Sequence, residues 1–247
     1  MSTYSRQFYA NRYENTIYSA TTILANLLER IPPVHSAIDI GCGVGTWLAV
    51  LREKGVEDIQ GVDGSWVDQD LLVIPRTCFK QADLSKSAIE LPGRYDLAIC
   101  LEVAEHLPSN RAEQFVSFLT TLSDHVLFSA AIPLQGGVGH LNEQWQHYWA
   151  ELFADRRFAV SDCIRPAIWN DDKIPFWYKQ NILLFSKQKE GDGVHLDSSS
   201  IDASSMPLDL VHPDLYLRLK VPTQISVRSS LRMLRQSLTR YIAKKRN

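Results

Sequence analysis

A glycine-rich loop constrains the fold of this chain more than any other feature of its sequence. The short apolar segment 37–40 is typical of a buried strand, and it runs directly into Gly41-Cys42-Gly43-Val44-Gly45. A helical pattern follows over residues 46–54. Glycines let the backbone turn tightly and come close to a ligand, and the start of a helix offers free N–H groups. The segment predicts a strand–loop–helix unit, although many turns in α/β proteins need glycine for geometry alone.

The loop lacks the signatures of the two common phosphate-binding loops. A dinucleotide site expects G-x-G-x-x-G, and here Thr46 stands in place of the third glycine. No Gly-Lys-Ser/Thr run follows, which excludes a P-loop. Asp39, near the end of the strand, would repel a pyrophosphate but suits a ligand that carries a cationic amine.

Three further acidic residues each follow a predicted strand. Strands are predicted over residues 57–63, 76–81 and 95–101. Asp63, Asp83 and Glu102 stand at or just beyond their ends. The carboxyl ends of strands in an open α/β sheet meet at one ligand-binding crevice, so these acids and Asp39 outline one cleft. There Asp63 can accept from both hydroxyls of a ribose, and Asp83 from an exocyclic amine of adenine. The alternative is that each acid caps a neighbouring helix.

The remaining pattern predicts an α/β architecture. Amphipathic helices are predicted over residues 15–31, behind a capping box at Asn110 and Glu113, and behind Asn142. Further strands are predicted over residues 125–131, 158–168 and 176–186. Alternating strands and helices favour a largely parallel sheet covered on both faces. The short turn at residues 170–172 favours antiparallel pairing of the last two strands.

Charge divides the chain into an acidic body and a basic tail. Residues 207–247 hold nine basic and two acidic residues, whereas residues 1–206 hold 17 basic and 26 acidic ones. Between them, residues 188–206 are rich in Gly, Ser and Asp, which is typical of a flexible linker. We therefore predict a domain with an N-terminal lid or helix over 1–187, a linker over 188–206 and a basic amphipathic tail over 207–247, with a helix at 225–242.

Composition narrows the class of protein. The four cysteines lie far apart and form no C-x-x-C pair, which disfavours a disulfide scaffold or a thiolate zinc site and fits a reducing compartment. No apolar run reaches about 18 residues, and no secretory signal is visible. These features predict a cytoplasmic location. A further prediction is peripheral attachment to the inner membrane face through the tail.

The ordered motifs resemble those of class I S-adenosylmethionine-dependent methyltransferases. The matching segments, within residues 35–186, are AIDIGCGVGTWL, GVDGSW, QADLSK and YDLAICLEVAEHL. The resemblance implies a Rossmann-like seven-stranded sheet of order 3-2-1-4-5-7-6 with strand 7 antiparallel, flanked by helices and followed by the basic helical tail. It implies that S-adenosylmethionine is bound by Asp39, Gly41, Gly43, Gly45, Asp63, Asp83, the Leu84 backbone and Glu102. In this scheme the three glycines underlie the methionine part of the cofactor.

Candidate catalytic groups follow the fourth and fifth strands. Glu102, Glu105 and His106 are spaced i, i+3 and i+4, and His140 follows a glycine-rich loop. We predict His140, His106 and Glu105 as catalytic, with a histidine as general base. Alternatively, Glu102, Glu105, His106 and His140 could hold a divalent metal. The E-x-x-E-H run resembles ubiquinone-pathway O-methyltransferases and small-RNA 3′-end 2′-O-methyltransferases, which imply such a metal, but also many metal-free members.

The methyl acceptor is predicted from weaker signals. The chain lacks the N-P-P-Y or D-P-P-Y tetrapeptide of amino-group methylases, which favours O-methylation. Its segment 139–153 resembles bacterial methyltransferases associated with glycan assembly, which implies a small hydroxylated acceptor such as a sugar or glycan intermediate. Trp145, Tyr148 and Tyr13 are the predicted substrate-binding residues, with core packing or docking of an N-terminal arm as alternatives.

Rival functions and partners complete the predictions. A metal-assisted RNA 2′-O-methyltransferase and a non-catalytic cofactor-binding adaptor are the alternatives to the leading function. The basic tail could lie on an anionic membrane surface, pack on the acidic body or stay solvated. Nucleic acid is disfavoured because only Tyr216 and Tyr241 interleave with its basic residues.

Overall fold

The structure, a computed structural model of the 247-residue chain, describes most of its length. The described residues are 6–85, 91, 93–188, 207–220, 230–231 and 234–235, without the side chains of residues 6–15 and 220. The chain divides into two compact units, Met1–Leu210 and Val211–Asn247. The predicted linker at 188–206 lies outside the described residues except for Gln188. The predicted helix at 225–242 also lies outside them, apart from four helical residues at 230–231 and 234–235.

A seven-stranded sheet forms the centre of the first unit. Its strands are β1 (Ser36–Ile40), β2 (Asp58–Asp63), β3 (Phe79–Gln81), β4 (Leu97–Leu101), β5 (His125–Ser129), β6 (Phe158–Ser161) and β7 (Leu183–Lys187). Their order is β3-β2-β1-β4-β5-β7-β6. β1 to β5 pair in parallel, whereas β7 runs antiparallel to both β5 and β6. The predicted fold class, strand order and antiparallel strand are therefore confirmed.

Helices cover both faces of this sheet. In the first unit they are α1 (Arg6–Leu28), α2 (Thr46–Glu53), α3 (Ala112–Leu122), α4 (Gln146–Ala154), α5 (Arg165–Ile168) and α6 (Phe176–Asn181). Helix α7 (Pro213–Lys220) belongs to the second unit. Single 3-10 turns lie at Gln69–Leu71, Arg76–Cys78, Ala104–His106 and Ser109–Arg111.

Two apolar clusters pack against the sheet, one on each face. Because successive side chains of a strand point to opposite faces, β4 serves both clusters. Ala98 and Cys100 pack with Phe128 and Trp149, and Leu97 and Ile99 join the other cluster. A strand buried on both faces reads as a continuous apolar run, which is why β4 is recognisable in the sequence.

The predicted strands near the carboxyl end of the domain are partly wrong. β6 ends at Ser161, and the last four residues of the predicted 158–168 strand form α5, where Pro166 sits in the first helical turn. Likewise, Pro175 precedes α6, so the first half of the predicted 176–186 strand is helical. Proline fits the start of a helix because its missing N–H has no partner there.

Two predicted helix caps are also wrong. Asn110 lies in the 3-10 turn before α3, which begins at Ala112 without a side-chain cap. Asn142 lies in a loop, and α4 begins only at Gln146. Helix α1 starts at Arg6, ahead of the predicted residue 15, and only Phe79–Gln81 of the predicted 76–81 strand pairs. These errors concern element ends, where local patterns carry little information.

Candidate functional site

The glycine loop leaves β1 in a left-handed conformation. Gly41, Gly43 and Gly45 have φ angles of +84°, +54° and +89°. The Gly41 N–H donates to the Val62 carbonyl over 2.8 Å, which ties the loop to the end of β2. A Cβ atom on Gly41 would lie 2.2 Å from Val103 Cγ2. The glycine therefore lets the loop approach the segment that follows β4.

Substituting Gly41 tests this close approach. We expect Gly41→Ala to lower the free energy of unfolding by about 3 kcal/mol, since a left-handed alanine costs roughly 1–2 kcal/mol and overpacking adds roughly 1–3 kcal/mol. Gly55→Ala is the matched control, because Gly55 has φ +94° but open space around its Cβ position. If urea denaturation showed that both variants lose the same free energy of unfolding, a steric role for Gly41 would be contradicted.

Asp63 holds the loop from the end of β2. Its carboxylate accepts from the Gly43 N–H over 2.7 Å and from the Gly64 N–H over 2.6 Å. Burial raises the pKa of Asp63, and the two N–H donors oppose that rise. A loop-fixing bond between Asp63 and Gly43 was not anticipated from the sequence, which assigns Asp63 only to a ribose.

Asp39 is a buried carboxylate without a complete set of partners. Only 2% of its surface is exposed, and among the described residues its Oδ2 atom has no hydrogen-bond partner. Burial raises the pKa of Asp39 well above its usual range, and the nearby Asp63 adds to the rise. A buried polar atom without a partner calls for an explanation, and a bound cation is one.

Asp83 and Leu84 follow β3 at the same end of the sheet. Asp83 is exposed and accepts from the Ser85 N–H and hydroxyl over 3.0 and 2.6 Å. The Leu84 side chain is buried in the apolar core. Within the described residues, the Asp83 carboxylate therefore organises the turn at Ser85.

Glu102 ends β4 in an unusual conformation. Its φ angle is +56°, which residues other than glycine rarely adopt. Its carboxylate accepts from Gln135 Nε2 over 2.9 Å and from Asn181 Nδ2 over 3.1 Å. Burial raises the pKa of Glu102, while these amide donors favour its charged form. The carboxylate is thus held by a loop residue, Gln135, and by the last residue of α6, Asn181.

The structure brings Glu105, His106 and His140 together. One potential ligand atom from each of the three lies within 4.8 Å of the other two. Glu105 is 1% exposed, and neither of its carboxylate oxygens has a hydrogen-bond partner among the described residues. Burial, followed by the charge of Glu102, raises the pKa of Glu105 well above its usual range. Burial and His140 lower the pKa of His106.

This cluster fits a divalent metal in its donor chemistry. A carboxylate and two imidazoles are common ligands of first-row divalent ions, and no described residue gives the buried Glu105 carboxylate a hydrogen-bond partner, which an ion would replace. Glu102, the fourth predicted ligand, does not belong to the group and is held by amides instead. Of the predicted metal set, three residues therefore converge.

Glu143 supports His140, although the sequence pattern does not predict this role. Its Oε1 atom lies 3.0 Å from His140 Nδ1 and accepts from the Gly136 N–H over 3.0 Å. Its Oε2 atom accepts from the Leu134 N–H over 2.9 Å. Carboxylates commonly orient functional histidines in this way. The three-residue spacing from His140 is the one signal in the sequence that could have indicated it.

The predicted substrate-binding aromatics differ in exposure. Trp145 is 37% exposed just before α4. Tyr148 is half-buried and packs edge-on against the core residue Trp149, with ring centroids 5.1 Å apart. The Tyr13 side chain lies outside the described residues, although α1 includes its backbone. The loop that carries His140 also exposes apolar side chains, namely Leu134, Val138 and Leu141.

Comparison with known proteins identifies the family. A family model described as a methyltransferase domain matches residues 11–161. The curated magnesium-protoporphyrin O-methyltransferase of Synechocystis sp. is 30% identical over 103 residues, which cover 38% of this chain and 43% of that enzyme. The match thus spans less than half the length of the curated relative.

Solved structures show the same fold. Magnesium protoporphyrin IX methyltransferase from Synechocystis PCC 6803, solved with bound SAH, has a TM-score of 0.52 and 21% identity, over 71% of this chain and 84% of that one. An O-methyltransferase family protein from Burkholderia thailandensis has a TM-score of 0.50 and 13% identity, over 75% and 59%. Because the family model covers more than half of its length, the chain belongs to the methyltransferase-domain family, with the fold of the class I S-adenosylmethionine-dependent enzymes.

Proposed function

We propose that this protein transfers a methyl group from S-adenosylmethionine to a hydroxyl oxygen of a small acceptor, such as a sugar or glycan intermediate. The observation that carries the proposal is a pair of buried carboxylates, Asp39 and Glu105, that have oxygens without a hydrogen-bond partner among the described residues. Asp39 lies near the end of β1, and Glu105 follows the neighbouring strand β4. One of them suits the cationic donor, and the other suits the reacting end of the acceptor.

The donor side uses the ends of β1 to β4. Asp39 would bind the cationic amine of the methionine part, above the left-handed turn of Gly41 to Gly45. Asp63 would bind the ribose, Asp83 and the Leu84 backbone the adenine, and Glu102 would complete the rim. When bound, S-adenosylmethionine supplies an electrophilic methyl group on a sulfonium. The protein's work is to align the acceptor oxygen and to receive its proton.

His106 and His140 are the candidate proton acceptors. Because the pKa of His106 is lowered, this imidazole is neutral around pH 7 and can accept a proton. His140 is oriented by Glu143 at 3.0 Å. Glu105, beside both rings, would stabilise the imidazolium that forms. This arrangement supports general-base catalysis without any further group.

A metal-assisted variant of the reaction rests on the same cluster. Glu105, His106 and His140 would hold the ion. A divalent ion there would act as a Lewis acid and lower the pKa of the acceptor hydroxyl. The two variants differ in one measurement, because transfer by the metal-dependent form stops when EDTA removes the ion.

The composition of the loop at residues 132–146, which carries His140, indicates what kind of acceptor could bind there. Residues 132–146 contain no lysine or arginine, so the described loop offers no permanently cationic side chain for phosphate contacts. Exposed Trp145 provides an aromatic face, and Leu141 is 65% exposed. This surface favours an uncharged small acceptor over RNA. The name of the relative in Synechocystis, an O-methyltransferase of magnesium-protoporphyrin, agrees with oxygen as the methylated atom.

Two experiments test the proposal. Isothermal titration should show saturable binding of S-adenosylhomocysteine. No saturation up to about 1 mM, equivalent to roughly 4 kcal/mol of binding free energy, would refute it.

Mass spectrometry of cell extracts incubated with labelled methyl donor should then reveal a methylated small molecule that is absent without the protein. Binding without any turnover would favour the adaptor, and labelled RNA would favour the RNA methyltransferase.

The tail supports a second element of the proposal, contact with an anionic membrane surface. No helix in the described part of the chain has the length and apolar character needed to span a membrane. Helix α7 exposes Leu217 and Leu219. With nine basic residues in the tail, an anionic bilayer would attract it by about 1 kcal/mol per basic residue near the surface.

We expect the full chain to sediment with phosphatidylserine vesicles at low salt and to be released at high salt, because salt screens the attraction. The double substitution Leu217→Ser and Leu219→Ser should weaken this binding. Leu134→Ser is the matched control, since it removes an equally exposed leucine from the first unit. Vesicle binding that changes neither with salt concentration nor with the Leu217 and Leu219 substitutions would contradict the prediction.

A further inference from the structure

The last four residues of the first unit, Pro207–Leu210, form a segment that we call the strap. It lies outside regular secondary structure, so its carbonyls need partners from elsewhere. Arg165 provides two of them. Its Nη1 atom donates to the Leu208 carbonyl over 2.8 Å, and its Nη2 atom donates to the Pro207 carbonyl over 3.3 Å. Arg165 is itself fully buried and paired with Asp162 at 2.6 Å.

Two more side chains fasten the strap. Gln146 Nε2 donates to the Leu210 carbonyl over 3.1 Å. The Asp209 carboxylate accepts from the His147 N–H over 2.9 Å and lies 2.5 Å from His147 Nδ1. Four consecutive strap residues are therefore held by side chains or backbone from the starts of α4 and α5.

The same donors reach the Gln180 carbonyl in α6. Arg165 Nη1 donates to it over 3.1 Å, and Gln146 Nε2 donates to it over 3.0 Å. Each of these two nitrogen atoms thus joins a strap carbonyl to Gln180. Because α6 is short, its position depends on such tertiary contacts rather than on its own stability.

An amide network continues from Gln180 to Glu102. The Gln180 side chain donates to Gln135 Oε1 over 3.0 Å and to Asn181 Oδ1 over 2.9 Å. Asn181 and Gln135 then donate to the two carboxylate oxygens of Glu102. A chain of contacts therefore runs from the strap through Arg165 and Gln146 to the Gln180 carbonyl, and from the side chain of the same residue by further hydrogen bonds to Glu102 after β4.

We propose that the strap positions Glu102 for cofactor binding, with Arg165, Gln146, Gln180 and Asn181 as positioning residues. The proposal rests on the proposed function, since S-adenosylhomocysteine is the probe. Glu102 needs outside support because its left-handed backbone persists only where the surroundings impose it. The strap supplies part of that support from a segment about a hundred residues away in sequence.

A double-mutant cycle tests the coupling in the full chain. Asp209→Ala releases the strap from His147 at a partly exposed position. We expect it to raise the Kd of S-adenosylhomocysteine about fivefold. Arg165→Met, which breaks the central link, should raise it at least tenfold if the variant folds. In a Glu102→Gln background the Asp209→Ala effect should vanish, because the chain of contacts no longer ends on a carboxylate.

The control separates positioning from simple stability. Asp124→Ala breaks an ion pair with Arg94 at the opposite end of the strands and should leave the Kd unchanged. An unchanged Kd in Asp209→Ala and Arg165→Met would overturn the proposal. An equal loss of affinity in the wild-type and Glu102→Gln backgrounds would overturn it as well. Absence of binding to the wild type would instead refute the proposed function.

Discussion

Asp39→Asn is expected to reduce the affinity for S-adenosylhomocysteine at least 100-fold while leaving the unliganded protein as stable as the wild type or more stable. The ligand's cationic amine would lose its buried partner, and breaking a buried ion pair costs about 3–5 kcal/mol. In the unliganded protein, however, the substitution removes a buried carboxylate that has one oxygen without a hydrogen-bond partner in the described part of the chain. Calorimetric titration and urea denaturation of the same samples measure both effects.

The stability effect depends on pH in a defined direction. The folded protein holds the proton of Asp39 to a higher pH than the unfolded chain does, because burial and Asp63 raise its pKa. Stability therefore falls as pH rises from the ordinary aspartate pKa, about 3.9, towards the folded-state pKa. Asp39→Asn should reduce this slope. Wild-type affinity in Asp39→Asn would show that the loop does not bind the amine.

Glu105→Gln is expected to slow methyl transfer by a factor of about 10²–10⁴, the range associated with general acid–base groups. The neutral amide could neither stabilise an imidazolium on His106 or His140 nor ligate a divalent ion as the carboxylate would. Affinity for S-adenosylhomocysteine should stay within about threefold, because Glu105 belongs to the acceptor side. The measurement is release of S-adenosylhomocysteine in the presence of the acceptor found in extracts.

His140→Ala should give a similar loss of rate, and His125→Ala is its matched control. His125 begins β5 at the other end of the strand and bonds to Ser186 at 2.9 Å, so its removal should not affect transfer. Full activity of Glu105→Gln and His140→Ala would exclude the cluster from the reaction. If Glu105→Gln lowered only the affinity for S-adenosylhomocysteine, Glu105 would instead be assigned to cofactor binding.

The parallel strands of the sheet could be predicted because their signals are local and repeated. Strands such as β1 and β4 are short apolar runs with an acidic residue next to their last residue, and the glycine loop follows β1. The resemblance to a known family then supplied the strand order. The segments near β6 and β7 were misassigned because α5 and α6 are too short for a helical period to show.

The candidate site was predictable only in part. Glu105, His106 and His140 could be grouped from their spacing and from their positions after adjacent strands. The roles of Gln135 and Asn181 could not be predicted, because the sequence does not show to which carboxylate a neutral amide will donate its hydrogen bond. The same holds for Arg165, whose partners Pro207 and Leu208 are bound through backbone carbonyls that every residue has.

The incompletely partnered Asp39 carboxylate also has a consequence for turnover of the protein in a cell. A ligand that binds only the folded state raises its stability by mass action. If the cationic donor supplies the missing partner, the unliganded chain is the less stable species and the one that proteases attack. The steady-state abundance of this protein should then follow the supply of its methyl donor, and starvation for methionine should shorten its lifetime.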